Sequence, residues 1–113
     1  MPWSHLVYDG NIRLVIDLER ILGFEWDEGN ARKNEKHGVS QSEAEQAFFD
    51  PRLLVVPDVR HSDAEPRLHA LGSTLAGRLL HITLTLRADR TRIRVISARD
   101  AHRKERGLYE RED

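Results

Sequence analysis

The chain contains no cysteine, and that one absence removes several kinds of chemistry together. Disulfide staples, thiolate metal sites and cysteine nucleophiles are excluded, and the composition fits a reducing cytoplasm. No apolar run approaches the length needed to span a bilayer, and the first residues lack the positive-then-apolar layout of a secretory signal. A cytoplasmic protein with no membrane partner is therefore expected. Charge of one sign is missing too: 18 Lys and Arg against 19 Asp and Glu leave a formal net charge of −1. That balance excludes a uniformly basic nucleic-acid coat, so any anion site must come from local clustering. Glycine is scattered, with Gly72, Gly77 and Gly107 standing alone, and nothing resembles a phosphate-binding loop. No cofactor is expected.

What is present is charge, at 33% of the residues, beside a modest 39% of hydrophobic ones. At 113 residues the chain is long enough for one domain with one thin core. Acidic residues concentrate before position 66 and arginines dominate after it, which predicts one basic face.

Residues 1–22 read as an N-terminal extension and 23–113 as the main domain. Leu14, Leu18 and Ile21, with Val15 and Leu22, keep helical spacing over Ile12 to Leu22. Ile12 to Ile16 reads equally as a strand, and periodicity supports both. Phe24 to Trp26 is expected to form a short strand. Asp27 is placed to cap a helix running to His37, with Gly38 as its left-handed terminator. Ser40-Gln41-Ser42-Glu43 has the capping-box pattern ahead of a second helix to about Phe49. Strands are expected at Leu53 to Val56, stopped by Pro57, and at Arg67 to Ser73, with a turn at Ala76-Gly77. In Leu79 to Leu86 the even positions are all aliphatic, while His81, Thr83 and Thr85 face the other way. In Thr91 to Ser97 the parity switches, so Ile93 and Val95 point inward while Arg92 and Arg94 point out. A hairpin through Ala88-Asp89, pairing Leu84 with Ile93, reconciles the two patterns, and a one-residue slip would bury both arginines. Ser97 is expected to cap a last helix from Ala98 to Glu110, with Ala101 and Leu108 inward. The order predicts α+β architecture: an antiparallel sheet carrying two N-terminal helices and one C-terminal helix.

Several residues could carry chemistry. Arginine suits phosphate, because its planar fork meets oxygens in pairs and stays charged. Arg92 and Arg94 share the outer sheet face, and Arg99 is expected at the N-terminus of the last helix, which itself favours anions. Lys36 and His37 end the first helix, where cations complement its dipole or could serve a site. Glu65 and Arg67 flank Pro66 and read either as a surface ion pair or as a base with a phosphate clamp. His81 is a candidate proton donor or a structural histidine. Arg103, Lys104 and Arg106 form a solvated basic face that would add salt-dependent attraction to a polyanion. Tyr109 could stack a base or pack the helix. His61, Glu65 and His69 are spaced by four, but Pro66 breaks the helix a metal site would need, so no metal is expected.

Phe24-Glu25-Trp26-Asp27, Lys36-His37-Gly38-Val39-Ser40, Glu65-x-Arg67, Ile96-Ser97-Ala98-Arg99 and Arg103-x-Glu105-Arg106-x-x-Tyr109 occur in that order. Together they resemble the BrnT family of toxins from type II toxin–antitoxin systems, over about Phe24 to Glu110. The resemblance implies a RelE-like fold and an endoribonuclease that cuts mRNA and arrests growth without a metal. It implies a BrnA-like ribbon–helix–helix antitoxin as partner, through which the complex binds operator DNA. Carried onto this chain, it makes Lys36, His37, Glu65, Arg67 and Arg99 catalytic candidates and Arg92, Arg94, Arg103 and Tyr109 RNA-binding ones. The alternative from the residues alone is a binding module whose basic face grips RNA or an acidic partner without cleaving.

Overall fold

Local capping chemistry decides where the first two helices begin and end. The computed structural model describes residues 6–8, 14–58 and 67–111. Helix α1 spans Glu28–Lys36, its N-terminus closed by a reciprocal capping box between Asp27 and Asn30. His37 is its C-cap, and Gly38 follows at φ +70°, the left-handed conformation that glycine reaches without a Cβ penalty. Helix α2 spans Gln41–Ala47 behind the Ser40/Glu43 capping box. Helix α3 spans Arg103–Arg111.

The strands are β1 (Leu6–Tyr8), β2 (Leu14–Asp17), β3 (Gly23–Glu25), β4 (Leu54–Pro57), β5 (Arg67–Ser73), β6 (Leu79–Arg87) and β7 (Arg92–Asp100). Leu14–Asp17 is thus a strand, paired antiparallel with β1, and only a single 3-10 turn, Leu18–Arg20, follows it. The main sheet has the order β3-β7-β6-β5-β4. Its last four strands are the expected antiparallel meander, but β3 pairs parallel with β7. The sheet is therefore mixed, which corrects the all-antiparallel expectation. The partner of β3 lies some seventy positions along the chain, and no local pattern announces such a pairing.

The β6–β7 hairpin keeps the predicted faces but moves by two residues: Leu84 sits opposite Val95 and Leu86 opposite Ile93. The loop is longer than a two-residue turn, with Ala88, Asp89 and Arg90 all at positive φ. The register also shifts between Thr83 and Leu84, where Thr83 faces Ser97 and Leu84 faces Val95, so Ile96 is an extra residue, a β-bulge. Arg94 and Arg99 are five apart and would lie on opposite faces of a regular strand; the bulge puts both outside.

β7 continues to Asp100, two residues past where a helix was expected, because Ala98 to Asp100 pair with β6. Ser97 is not a helix cap, and Arg99 is a strand residue. The start of α3 is closed instead by Glu105, whose carboxylate accepts from the His102 N–H at 2.7 Å.

The core lies on the face carrying Leu68, Ala70, Leu80, Ile82, Leu84, Ile93, Val95 and Ala98, covered by Val39, Ala44, Ala47 and Phe48 of the α1–α2 layer. Burial of each large aliphatic there contributes about 1.5–3 kcal/mol. Gly72 lets α2 approach this face, since a Cβ there would collide with the Ala47 carbonyl oxygen. The third helix packs on the opposite face, where Tyr109 closes over Leu71 and Leu79. Leu108 is half exposed rather than inward.

Candidate active site

The registers of β3 to β7 lay three rows of side chains across the outer face. The first row is Glu25, Arg94, Thr85 and Arg67; the second is Ser97, Thr83, His69 and Val56; the third is Arg99, His81, Leu71 and Leu54. Neighbouring rows stand about 7 Å apart, two residues of strand. Helix α3 leans over the third row and leaves a cleft of about 390 Å³ between itself and the sheet.

At the polar end of that cleft are two imidazoles, a guanidinium and a carboxylate, with a second carboxylate bonded to one of the imidazoles. The rings of His69 and His81 stack with centroids 5.0 Å apart. His69 Nε2 lies 2.9 Å from Asp58 Oδ2, and its Nδ1 lies 3.3 Å from Thr83 Oγ1. A proton on Nε2 satisfies both contacts: the ring donates to the carboxylate and accepts from the hydroxyl. Arg99 donates a bidentate pair of hydrogen bonds to Glu105, at 2.8 and 2.9 Å. His81 Nε2 lies 3.9 Å from the same carboxylate.

These contacts fix the charge states. The Arg99 fork holds the Glu105 carboxyl down to about 2, helped by the His102 N–H. Burial pushes His81 down to about 4, reinforced by the positive charge of Arg99 and opposed by Glu105. His81 is thus a neutral ring at neutral pH, able to accept a proton. In the first row, Arg94 pairs with Asp27 at 2.8 Å and Glu25 at 3.1 Å, and those carboxylates hold its guanidinium firmly charged.

The residues predicted from sequence divide between two layers. Arg67, Arg94 and Arg99 share the outer face with His81. Lys36 and His37 are exposed at the C-terminal end of α1, in the layer that covers the other face. Arg78 ties that end to the sheet, donating to the Gly38 carbonyl at 2.9 Å while paired with Asp100 and Glu43. Arg92 caps the edge strand by donating to the Phe24 carbonyl at 3.0 Å. Arg103 is exposed at the first turn of α3. Tyr109 is buried, its hydroxyl donating to Asp50 and the Arg52 guanidinium 5.0 Å over its ring. Glu65 lies outside the described residues, as does His61. Asp58, His69, Thr83 and Glu105 were missed as a group. Odd-position parity about the Ala76-Gly77 turn could have placed His69 beside His81.

A second cavity, of about 340 Å³, lies by the edge strand among Leu18, Ile21, Phe24, Phe48 and Phe49. Among the described residues that line it, Asp50 is the one titratable group, and these residues offer no proton-transfer pair. Among the described residues no three His, Asp or Glu side chains gather to hold a metal.

The model of BrnT, the ribonuclease toxin of type II toxin–antitoxin systems, matches residues 26–105. The chain belongs to the BrnT family. Membership makes it a ribonuclease toxin of a system that pairs toxin with antitoxin, with RNA as the substrate class. The match takes in β4 to β7 and ends at Glu105, so it covers the polar end of the cleft and its sheet side, while Leu108 lies beyond it. No curated protein matches the chain. Among the described residues no helix is long and apolar enough to cross a membrane.

Proposed function

We propose that this BrnT-family chain is an endoribonuclease that cuts mRNA in the outer-face cleft by metal-independent acid–base transesterification, so arresting translation and growth. One observation carries the reading: a neutral imidazole, a second imidazole oriented by a carboxylate, and a fixed guanidinium meet in one cleft. Cleavage needs a base for the 2′-hydroxyl proton, an acid for the leaving 5′-oxygen and a cation for the phosphate. His81 takes the 2′-proton as O2′ attacks phosphorus. His69, carrying a proton on each nitrogen for this step and held through Nε2–H by Asp58, gives its Nδ1 proton to the 5′-oxygen as that oxygen's bond to phosphorus breaks and is left neutral. A 2′,3′-cyclic phosphate and a 5′-hydroxyl result. Arg99 carries the scissile phosphate, which offsets the positive field on His81 and so strengthens the base. Arg67 and Arg94 hold the neighbouring backbone, with Arg92 and Arg103 at its margins.

On this reading Lys36 and His37 bind RNA backbone passing the Asp100 end of the sheet and are not the proton-transfer pair. Glu65 stays a candidate clamp for Arg67, two residues away. Tyr109 holds α3 in place. The arrangement is read as RelE-like, with residues 23–113 as the toxin domain and 1–22 as an extension. A BrnA-like ribbon–helix–helix antitoxin is read as covering the toxin in the cytoplasm and carrying the complex to operator DNA.

The test is cleavage of single-stranded and ribosome-bound RNA by the full chain in excess EDTA. His81→Ala and Arg99→Ala are each expected to lower the rate by about 10²–10³, and His37→Ala by far less. Wild-type rates from His81→Ala would remove the cleft from the mechanism. Binding without cleavage by the wild type would leave a non-catalytic RNA-binding module.

A further inference from the structure

The polar end of the cleft has an apolar half that proton transfer does not use. Leu54 and Leu71 form its floor, with Val56 on the sheet side and Leu108 on the helix side. Val56 is 45% exposed and Leu108 48%, and both line this one cleft. Leu108 stands one helical turn from Glu105, so the residue that fixes Arg99 and the apolar wall belong to one face of α3. Tyr109 locks the helix from beneath through Asp50, so this wall is held open rather than collapsed onto Leu54.

We infer that this apolar half is a nucleobase subsite, taking the unpaired base of a nucleotide whose phosphate sits on Arg99. The inference rests on the cleavage site proposed above and adds the substrate class: RNA that is single-stranded at the cut. A base has two apolar faces and a polar edge, and the cleft has two aliphatic walls and an imidazole end, so the chemistries match. The volume, about 390 Å³, is of the order of small-ligand sites and suits one nucleotide. A base in a duplex stack could not enter, because only a splayed base can place both faces against protein.

The experiment is a coupling measurement on the full chain. The probe is an RNA oligonucleotide with one 2′-deoxy residue blocking the cut, made with and without an abasic sugar at that residue. Leu108→Ser and Val56→Ser change exposed positions, and thermal melting checks that both variants fold. Each variant, and the abasic probe on the wild type, is expected to weaken binding about tenfold. The abasic probe should bind Leu108→Ser no worse than the intact probe does, because the partner is already gone. Losses that multiply, unchanged affinity in both variants, or no binding to the wild type would each overturn the subsite. Coupling seen in a chain that leaves the all-ribose RNA uncut would keep the subsite and remove the proposed reaction.

Discussion

His81 shows how one side chain can be tuned by its surroundings, and its tuning has a cost in stability that pH exposes. Its ring falls from an ordinary 6.5 to about 4 in the folded chain, first through burial and then through Arg99. In this window the unfolded chain binds a proton that the folded chain refuses. Stability is therefore full above about pH 6.5 and drains away as pH falls toward 4, by on the order of 2 kcal/mol. Glu105 is a carboxylate whose folded value is depressed, from 4.5 to about 2, so its contribution is lost as pH falls from about 4.5 toward 2 and is still present at pH 5. Urea unfolding at pH 7 and pH 5 should show the wild type losing stability and His81→Gln losing clearly less. Equal losses in the two proteins would mean the ring is not buried as described. Little of this was legible in the sequence. His81 showed as an outward residue of an alternating strand, but His69, with Asp58 behind it, and Glu105 reach it only through pairing and helix packing. Arg94 was legible as an outward arginine of a strand, whereas Arg99 was expected at a helix start. That Asp27, Glu25 and Glu105 already grip them was not legible, because those partners come from other elements.

Elements whose signals are local were readable, and elements set by distant pairing were not. Asp27, Gly38 and Ser40 mark helix ends through bonds spanning three or four residues, and the structure has them there. The aliphatic parity of β6 likewise survives, since a face is decided within one strand. Ser97-Ala98-Arg99-Asp100 looks like a helix start, yet pairing with Leu80 to Thr83 overrides that propensity. The bulge at Ile96 also escapes sequence reading, although it alone brings Arg99 to the outer face. Deleting Ile96 should leave a plain strand in which Arg94 and Arg99 stand four apart and both still point outward, so the cooperative thermal transition and cleavage should both survive, and loss of either would mean that the bulge itself shapes the cleft. Ile96→Val keeps the bulge and should leave cleavage within about twofold, as a conservative swap would. Gly72→Ala tests the contact of α2 with the sheet, since the added methyl meets the rigid Ala47 carbonyl. A loss of about 3 kcal/mol in urea unfolding is expected from such overpacking. Wild-type stability there would show that α2 can shift at little cost.

At the scale of the molecule, a net charge of −1 and a nucleic-acid substrate are compatible only if attraction is confined to a few fixed guanidinium groups. The rows on the outer face provide that confinement. Arg67, Arg94 and Arg99 lie along one track, while Arg78 is spent on Asp100, Glu43 and the Gly38 carbonyl at the far end. The three track arginines should therefore set the salt dependence. Each phosphate neutralised on single-stranded nucleic acid contributes about −0.7 to the slope of log K against log salt, which gives about −2 for three. Arg94 and Arg99 already hold carboxylates, so an arriving phosphate shares or displaces a protein anion, and the slope should be no steeper than that value. Titrating an uncleavable single-stranded RNA at several salt concentrations gives the slope, and Arg94→Ala should lessen it by about 0.7. Arg103→Ala, at the exposed turn of α3, should change it less. A wild-type slope steeper than about −4 would mean that Arg103, Lys104 and Arg106 bind diffusely along the helix. The outer-face track would then not be the path the RNA follows.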